Sequence, residues 1–177
     1  MPEELDIREI KEGLPGITKI AAGQLYEACM VCLHRSGHPQ RVIMPLKGDN
    51  EKEYEILWED YFDDQIDRTY KDQEYTTEHG AVCISAMLAI HETDYTIIER
   101  SRKGTGVDYW LGYNDDIPFK KSARLEVSGV FTGGENPLET RFKKKIKQTN
   151  QSDSTQLPAY VSIVEFSSPI AKFAKKQ

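Results

Sequence analysis

The chain has little cysteine, no long apolar run and no complete signature for nucleotide binding or serine-nucleophile catalysis. No segment of its 177 residues approaches the roughly 20 apolar positions of a membrane-spanning helix. The start, MPEELDIREIKEG, lacks the basic-then-apolar order of a secretory signal. Three cysteines, Cys29, Cys32 and Cys83, are an odd number in apolar, helix-like surroundings. They exclude a disulfide framework and predict free thiols in a reducing compartment, so cytoplasmic residence is expected. The loop RKGTG, residues 102–106, has two glycines and two cations, but no helix follows it and the full phosphate-loop pattern is missing. No nucleotide cofactor is therefore expected. No serine stands in a G-x-S-x-G setting, which leaves a hydrolase triad without support.

What is present suits one mixed α/β domain spanning residues 1–177, with 38% hydrophobic and 29% charged residues. The net charge of −6 is unevenly spread: residues 41–100 hold 15 acidic against 6 basic side chains, and residues 139–177 hold 8 basic against 3 acidic. Overall acidity argues against nonspecific coating of nucleic acid. The basic C-terminal third still permits a local phosphate-facing surface.

Periodicity sets the elements. Residues 1–16 read as a polar, loosely attached arm ending in Gly13 and Pro15. Helical spacing of Ala21, Leu25, Cys29 and Cys32 predicts a helix over 17–36, stopped by Gly37 and Pro39. RVIMPL (41–46) and YEILW (54–58) predict short strands around the turn GDNEK. The acidic, aromatic stretch 59–75 is helix or loop. A largely apolar helix is predicted over 76–92, with Thr76 or Thr77 as N-cap. Strands follow over 95–101, 107–113 and 123–131. Pro137 then opens a helix that aligns Leu138, Phe142 and Ile146. A polar loop leads to a last strand over 159–166 and a tail ending AKFAKKQ.

The segment VDYWLGYNDDIPFKKSARLEVSG, residues 107–129, carries the most specific signal. Strand interiors normally exclude carboxylates, yet each of its two strands holds one, Asp108 and Glu126. A turn centred near Ile117 sets Asp108 across from Glu126, with Cβ atoms about 5 Å apart. Two ionised carboxylates that close repel unless one holds a proton or both share a cation. Oxygen ligands so placed suit Mg²⁺ or Mn²⁺. A register moved by two residues would instead face Asp108 with Arg124, an ordinary cross-strand ion pair.

The order helix, three strands, helix, strand, with an acidic residue in the second strand and another in the third, resembles the PD-(D/E)XK nuclease superfamily, which includes the restriction endonucleases. The resemblance covers residues 76–166, about half of the chain, preceded by the helix and strand pair of 17–75. It implies an αβββαβ core, Asp108 and Glu126 as metal ligands, and Glu78 as the additional helix carboxylate that some members use. Glu126-Val127-Ser128 departs from the family by placing Ser128 where lysine is usual. Lys103, Lys143, Lys144 and Lys147 are candidates for a displaced lysine, Lys144 being taken as catalytic. Lys103, Arg124, Lys143 and Lys147, together with Lys144 and Lys145, are candidates to hold the nucleic-acid backbone. The implied activity is metal-assisted phosphodiester hydrolysis. Its alternative is a non-catalytic binding or partner protein on the same fold, with a decayed site.

Two further groupings are weaker. Cys29, Cys32, His34 and His38 are zinc-ligand types, but one apolar helix holds both cysteines, so buried thiols and a capping histidine are expected. Asp60, Asp63, Asp64 and Asp67 follow helical spacing without an EF-hand glycine and closing glutamate, which disfavours calcium. With Tyr61, Phe62, Tyr70 and Tyr75 among them, they make 59–75 a candidate protein-partner surface.

Overall fold

Capping side chains mark where three of the helices begin in the computed structural model, which describes all 177 residues. Helix α1 (Lys19–Arg35) starts where the Thr18 hydroxyl accepts the Ala21 N–H. Asp63 caps the short α2 (Asp64–Thr69), and Asp72 caps α3 (Gln73–Glu92). The third start corrects the predicted one: Thr76 and Thr77 lie inside the helix and are buried. Helix α4 (Asn136–Gln148) has Pro137 in its first turn.

The strands are β1 (Glu3–Asp6), β2 (Arg41–Gly48), β3 (Lys52–Leu57), β4 (Thr96–Arg100), β5 (Tyr109–Gly112), β6 (Ala123–Val130), β7 (Ala159–Glu165) and β8 (Ile170–Lys175). They form one mixed sheet in the order β1-β3-β2-β8-β7-β6-β5-β4. From α3 onward the chain runs helix, three strands, helix, strand. β4, β5 and β6 are antiparallel neighbours, and β7 lies parallel to β6. No helix is long and apolar enough to cross a membrane.

Two apolar clusters cover the sheet. The main one joins α1 and α3 to Tyr109, Leu111, Leu125 and Val127. The smaller one packs Leu138 of α4 on Val161, Ile163 and Ile170, with Phe142 and Ile146 at its side. Because helices lie over both faces, all eight residues of β6 are buried. Its apolar residues Leu125 and Val127 join the main cluster, and the alternating Arg124, Glu126 and Ser128 are withdrawn from solvent with them.

Both chain ends depart from expectation. Residues 1–16 are no loose arm: β1 pairs parallel with β3, a 3-10 helix spans Ile7–Glu12, and Leu5, Ile7 and Ile10 are fully buried. Each such side chain contributes about 1.5–3 kcal/mol of burial, enough to tie the segment down. The tail is β8, antiparallel to β7 and parallel to β2, and it joins the N-terminal strands to the rest of the sheet. The polar loop after α4 contains a further 3-10 helix, Thr149–Thr155.

Candidate active site

The β5–β6 ladder pairs Tyr109 with Leu125, Trp110 with Arg124 and Leu111 with Ala123, the register drawn from a turn centred near Ile117. β5 begins one residue after Asp108, whose N–H still donates to the Leu125 carbonyl at 2.9 Å. Asp108 Oδ2 accepts the Val127 N–H at 2.9 Å, which holds the carboxyl against β6 beside Glu126. The alternative pairing with Arg124 does not occur. Arg124 instead donates to the Leu157 and Thr149 carbonyls, Ser152 Oγ and Asp153, clamping β6 to the second 3-10 helix. That buried guanidinium is structural, which corrects its placement among substrate-binding residues.

Glu126 is the most constrained group. Its side chain is 2% exposed, and Oε1 accepts from Lys145 Nζ and Gln148 Nε2, each at 2.8 Å. Oε2 is buried and has no hydrogen-bond partner. Burial and then the Asp108 carboxylate push the Glu126 carboxyl up to about 7, against the opposing pull of Lys145.

Lys145 reaches Glu126 from α4 and answers the gap at Ser128. Lys144 does not: it is exposed, and about 100° of helix rotation separates it from Lys145. The structure therefore replaces Lys144 with Lys145 as the lysine at this site. Lys143 and Lys147 are also exposed, and Lys103 lies on the surface loop that borders Asp108. Ser128 Oγ accepts from Arg141 at 3.0 Å. Arg141, Lys145 and Gln148 thus share one stripe of α4 beside the apolar one of Leu138, Phe142 and Ile146. That i, i+4, i+7 spacing is the sequence signal that could have singled out Lys145.

Two glycines permit the close approaches that build the site. A Cβ on Gly129 would lie 2.5 Å from the Thr77 carbonyl oxygen, so glycine lets α3 settle on β6. This brings Glu78 Oε1 to the Gly129 N–H at 3.3 Å. Burial raises the Glu78 carboxyl, with Gly129, Lys145 and Arg141 opposing and Asp108 adding to the rise. Gly106 has φ +71 and passes so near the Gln148 carbonyl that a Cβ would lie 2.0 Å from its oxygen. Arg100 Nη2 stands 3.9 Å from Asp108 Oδ1.

No group of three or more His, Cys, Asp or Glu side chains is placed to hold a metal ion, so Glu78, turned to the Gly129 N–H, does not join Asp108 and Glu126 as a third carboxylate ligand. Cys29, Cys32 and Cys83 are buried free thiols. His34 Nδ1 pairs with Asp60 at 2.7 Å, and His38 Nε2 with the Phe166 carbonyl at 2.6 Å. Of the aspartates of 60–67, Asp60 holds His34, Asp63 caps α2 and Asp67 meets Arg35 and Lys71, while Asp64 is exposed. Tyr61 and Tyr75 are exposed in that region, and Tyr70 is buried. Set against models of known protein families, curated proteins and solved structures, the chain matches none.

Proposed function

We propose that the protein is a divalent-metal-dependent nuclease of the PD-(D/E)XK type, acting on nucleic-acid phosphodiesters. One observation carries the reading: Glu126 keeps a buried, unpartnered oxygen beside the Asp108 carboxyl while a lysine stands on its other oxygen. Buried polar atoms are overwhelmingly hydrogen-bonded, so an orphaned carboxylate oxygen beside a second carboxyl calls for an explanation, and a shared cation supplies one. The order of elements from α3 to β7 supports the same assignment.

Asp108 and Glu126 are the residues that would hold Mg²⁺ or Mn²⁺, cations that take one or two protein carboxylates and keep several waters. The orphaned Glu126 oxygen and the mutual repulsion of the two carboxyls fit a cation there. Bound in this position, such an ion polarises a phosphate oxygen and lowers the pKa of water. The chain supplies the rest. The Val127 N–H orients Asp108, Gln148 and Lys145 orient Glu126, and Lys145 offsets negative charge that develops on the phosphate. Hydrolysis forms one P–O bond to water and breaks one to a sugar oxygen; that oxygen takes up a proton as the water loses one.

Cleavage of labelled DNA and RNA with Mg²⁺ or Mn²⁺ tests the proposal. Wild type should cut, Asp108→Ala should lose about a thousandfold or more, and chelation should abolish the reaction. An inert wild type that also fails to bind Mn²⁺ would refute it. Lys145 already neutralises Glu126 in part, and this favours a second reading, a non-catalytic binding protein with a decayed site. In that case Mn²⁺ would not bind, and the exposed Tyr61 and Tyr75 of the 59–75 region would form a partner surface.

A further inference from the structure

Three cavities that share lining residues outline a trough past Asp108. The first, about 450 Å³, is lined by Arg100, Arg102, Lys103 and Asp108 among others. The second, about 160 Å³, shares Arg100 and Asp108 with it and adds Glu78 and His79. The third, about 90 Å³, shares His79 with the second and adds Tyr70 and Tyr75. Asp108 therefore stands between a cationic end and an aromatic end.

The two ends differ in what they can hold. Arg102 and Lys103 are exposed at the first, and Gly104 and Gly106, both at positive φ, bend the backbone around it. Opposite charge and an open concavity suit a phosphate. At the other end the Tyr75 ring stacks on His79, with centroids 3.9 Å apart and planes 28° apart. His79 Nδ1 donates to the Tyr75 carbonyl at 2.8 Å, which fixes the ring under the tyrosine. Tyr75 remains 53% exposed, so its ring is accessible for stacking. Asp72 at the N-cap of α3, with Glu74 and Glu78 on its first turns, would repel a phosphate there. An uncharged flat base meets no such penalty and gains from the stack.

We infer that the trough takes a single nucleic-acid strand, with a backbone phosphate against residues 100–106 and a base on Tyr75. The inference rests on the nuclease reading and narrows its substrate to unpaired DNA or RNA. A duplex keeps its base faces within its own stack, so it can use the cationic end alone.

Fluorescence anisotropy in the presence of a chelator tests this without turnover. The probes are a labelled oligothymidylate, an oligouridylate and a duplex of equal length, each titrated at two salt concentrations. At least one single strand should bind about tenfold or more tightly than the duplex, and the two single-stranded probes separate DNA from RNA preference. Tyr75→Ala should weaken single-strand binding roughly five- to a hundredfold with an unchanged salt slope, and Tyr75→Phe should restore it. Arg102→Ala with Lys103→Ala should lower both affinity and the salt slope. Duplex binding as tight as single-strand binding, or no effect of Tyr75→Ala, would overturn the inference. Cleavage confined to duplex would sink it and leave the nuclease reading intact. The expected binding pattern without cleavage under Mg²⁺ or Mn²⁺ would uphold the trough and sink catalysis.

Discussion

Glu92 and Glu126 are both carboxylates withdrawn from solvent, with side chains 3% and 2% exposed, yet their surroundings act in opposite directions. Glu92, at the end of α3, accepts from the Tyr54 hydroxyl, from Asn50 Nδ2 at 2.9 Å and from Lys52 Nζ at 2.9 Å. Burial alone would raise its pKa, but these donors outweigh burial and hold the carboxyl below its usual range. Glu126 has donors on one oxygen only and a second carboxylate beside it, so burial wins. Side-chain exposure does not separate a structural acid from a candidate site acid here. Satisfaction of the oxygens does.

The largest effect should come from a nearly isosteric change at Glu126. Glu126→Gln is expected to lower metal-dependent cleavage by about a thousandfold or more, because the orphaned oxygen loses its charge. Glu92→Gln should leave the cleavage rate per folded molecule unchanged. Equal losses in both variants would dissolve the distinction. Glu92→Ala is expected to cost about 3 kcal/mol in denaturant unfolding, since it strands Tyr54 and Lys52. Next in size, Lys145→Met should slow cleavage about a hundredfold and raise the Glu126 pKa further, readable in the pH–rate profile. Lys144→Met should do neither.

The smallest effect concerns pH and stability. In the folded state Glu126 holds its proton more tightly than its ordinary value of 4.5 implies. The stability this contributes is fully present below that value and is lost as pH rises through about 7. Glu92 has the opposite sign: its contribution is present above the ordinary carboxylate value and is lost as pH falls through its lowered one. Asp108→Asn can still accept the Val127 N–H and removes the repulsion. It should stabilise the protein by about 1 kcal/mol at pH 8 and by almost nothing at pH 4, measured by urea unfolding. Stabilisation of equal size at both pH values would show that the Asp108 charge does not act on the Glu126 carboxyl.

Much of the hairpin was legible in the chain because its register follows from counting around a turn. Residues 123–111, 124–110 and 125–109 are equidistant from Ile117, and the ladder pairs them so. The stripe of Leu138, Phe142 and Ile146 likewise declared the apolar side of α4. Lys145 was not legible in the same way. Four lysines crowd residues 143–147, and only the rotation of α4 against β6 decides which of them meets Glu126. β1 was hidden for another reason: four residues pair with a strand some fifty positions later, a contact that no local period announces.

The sequence by itself determined the mixed α/β class, the bounds of most elements to within a few residues and the nearness of two acids across a hairpin, Asp108 just before β5 and Glu126 within β6. Local propensities and side-chain alternation are properties of short segments, and they survive without knowledge of the rest. Tertiary structure alone decided that β8 joins the two parts of the sheet, that Arg124 is a clamp, and that Glu126 keeps one oxygen unpartnered. Each of these depends on which distant groups arrive beside it, and the satisfaction of a buried polar atom is a property of its whole surroundings.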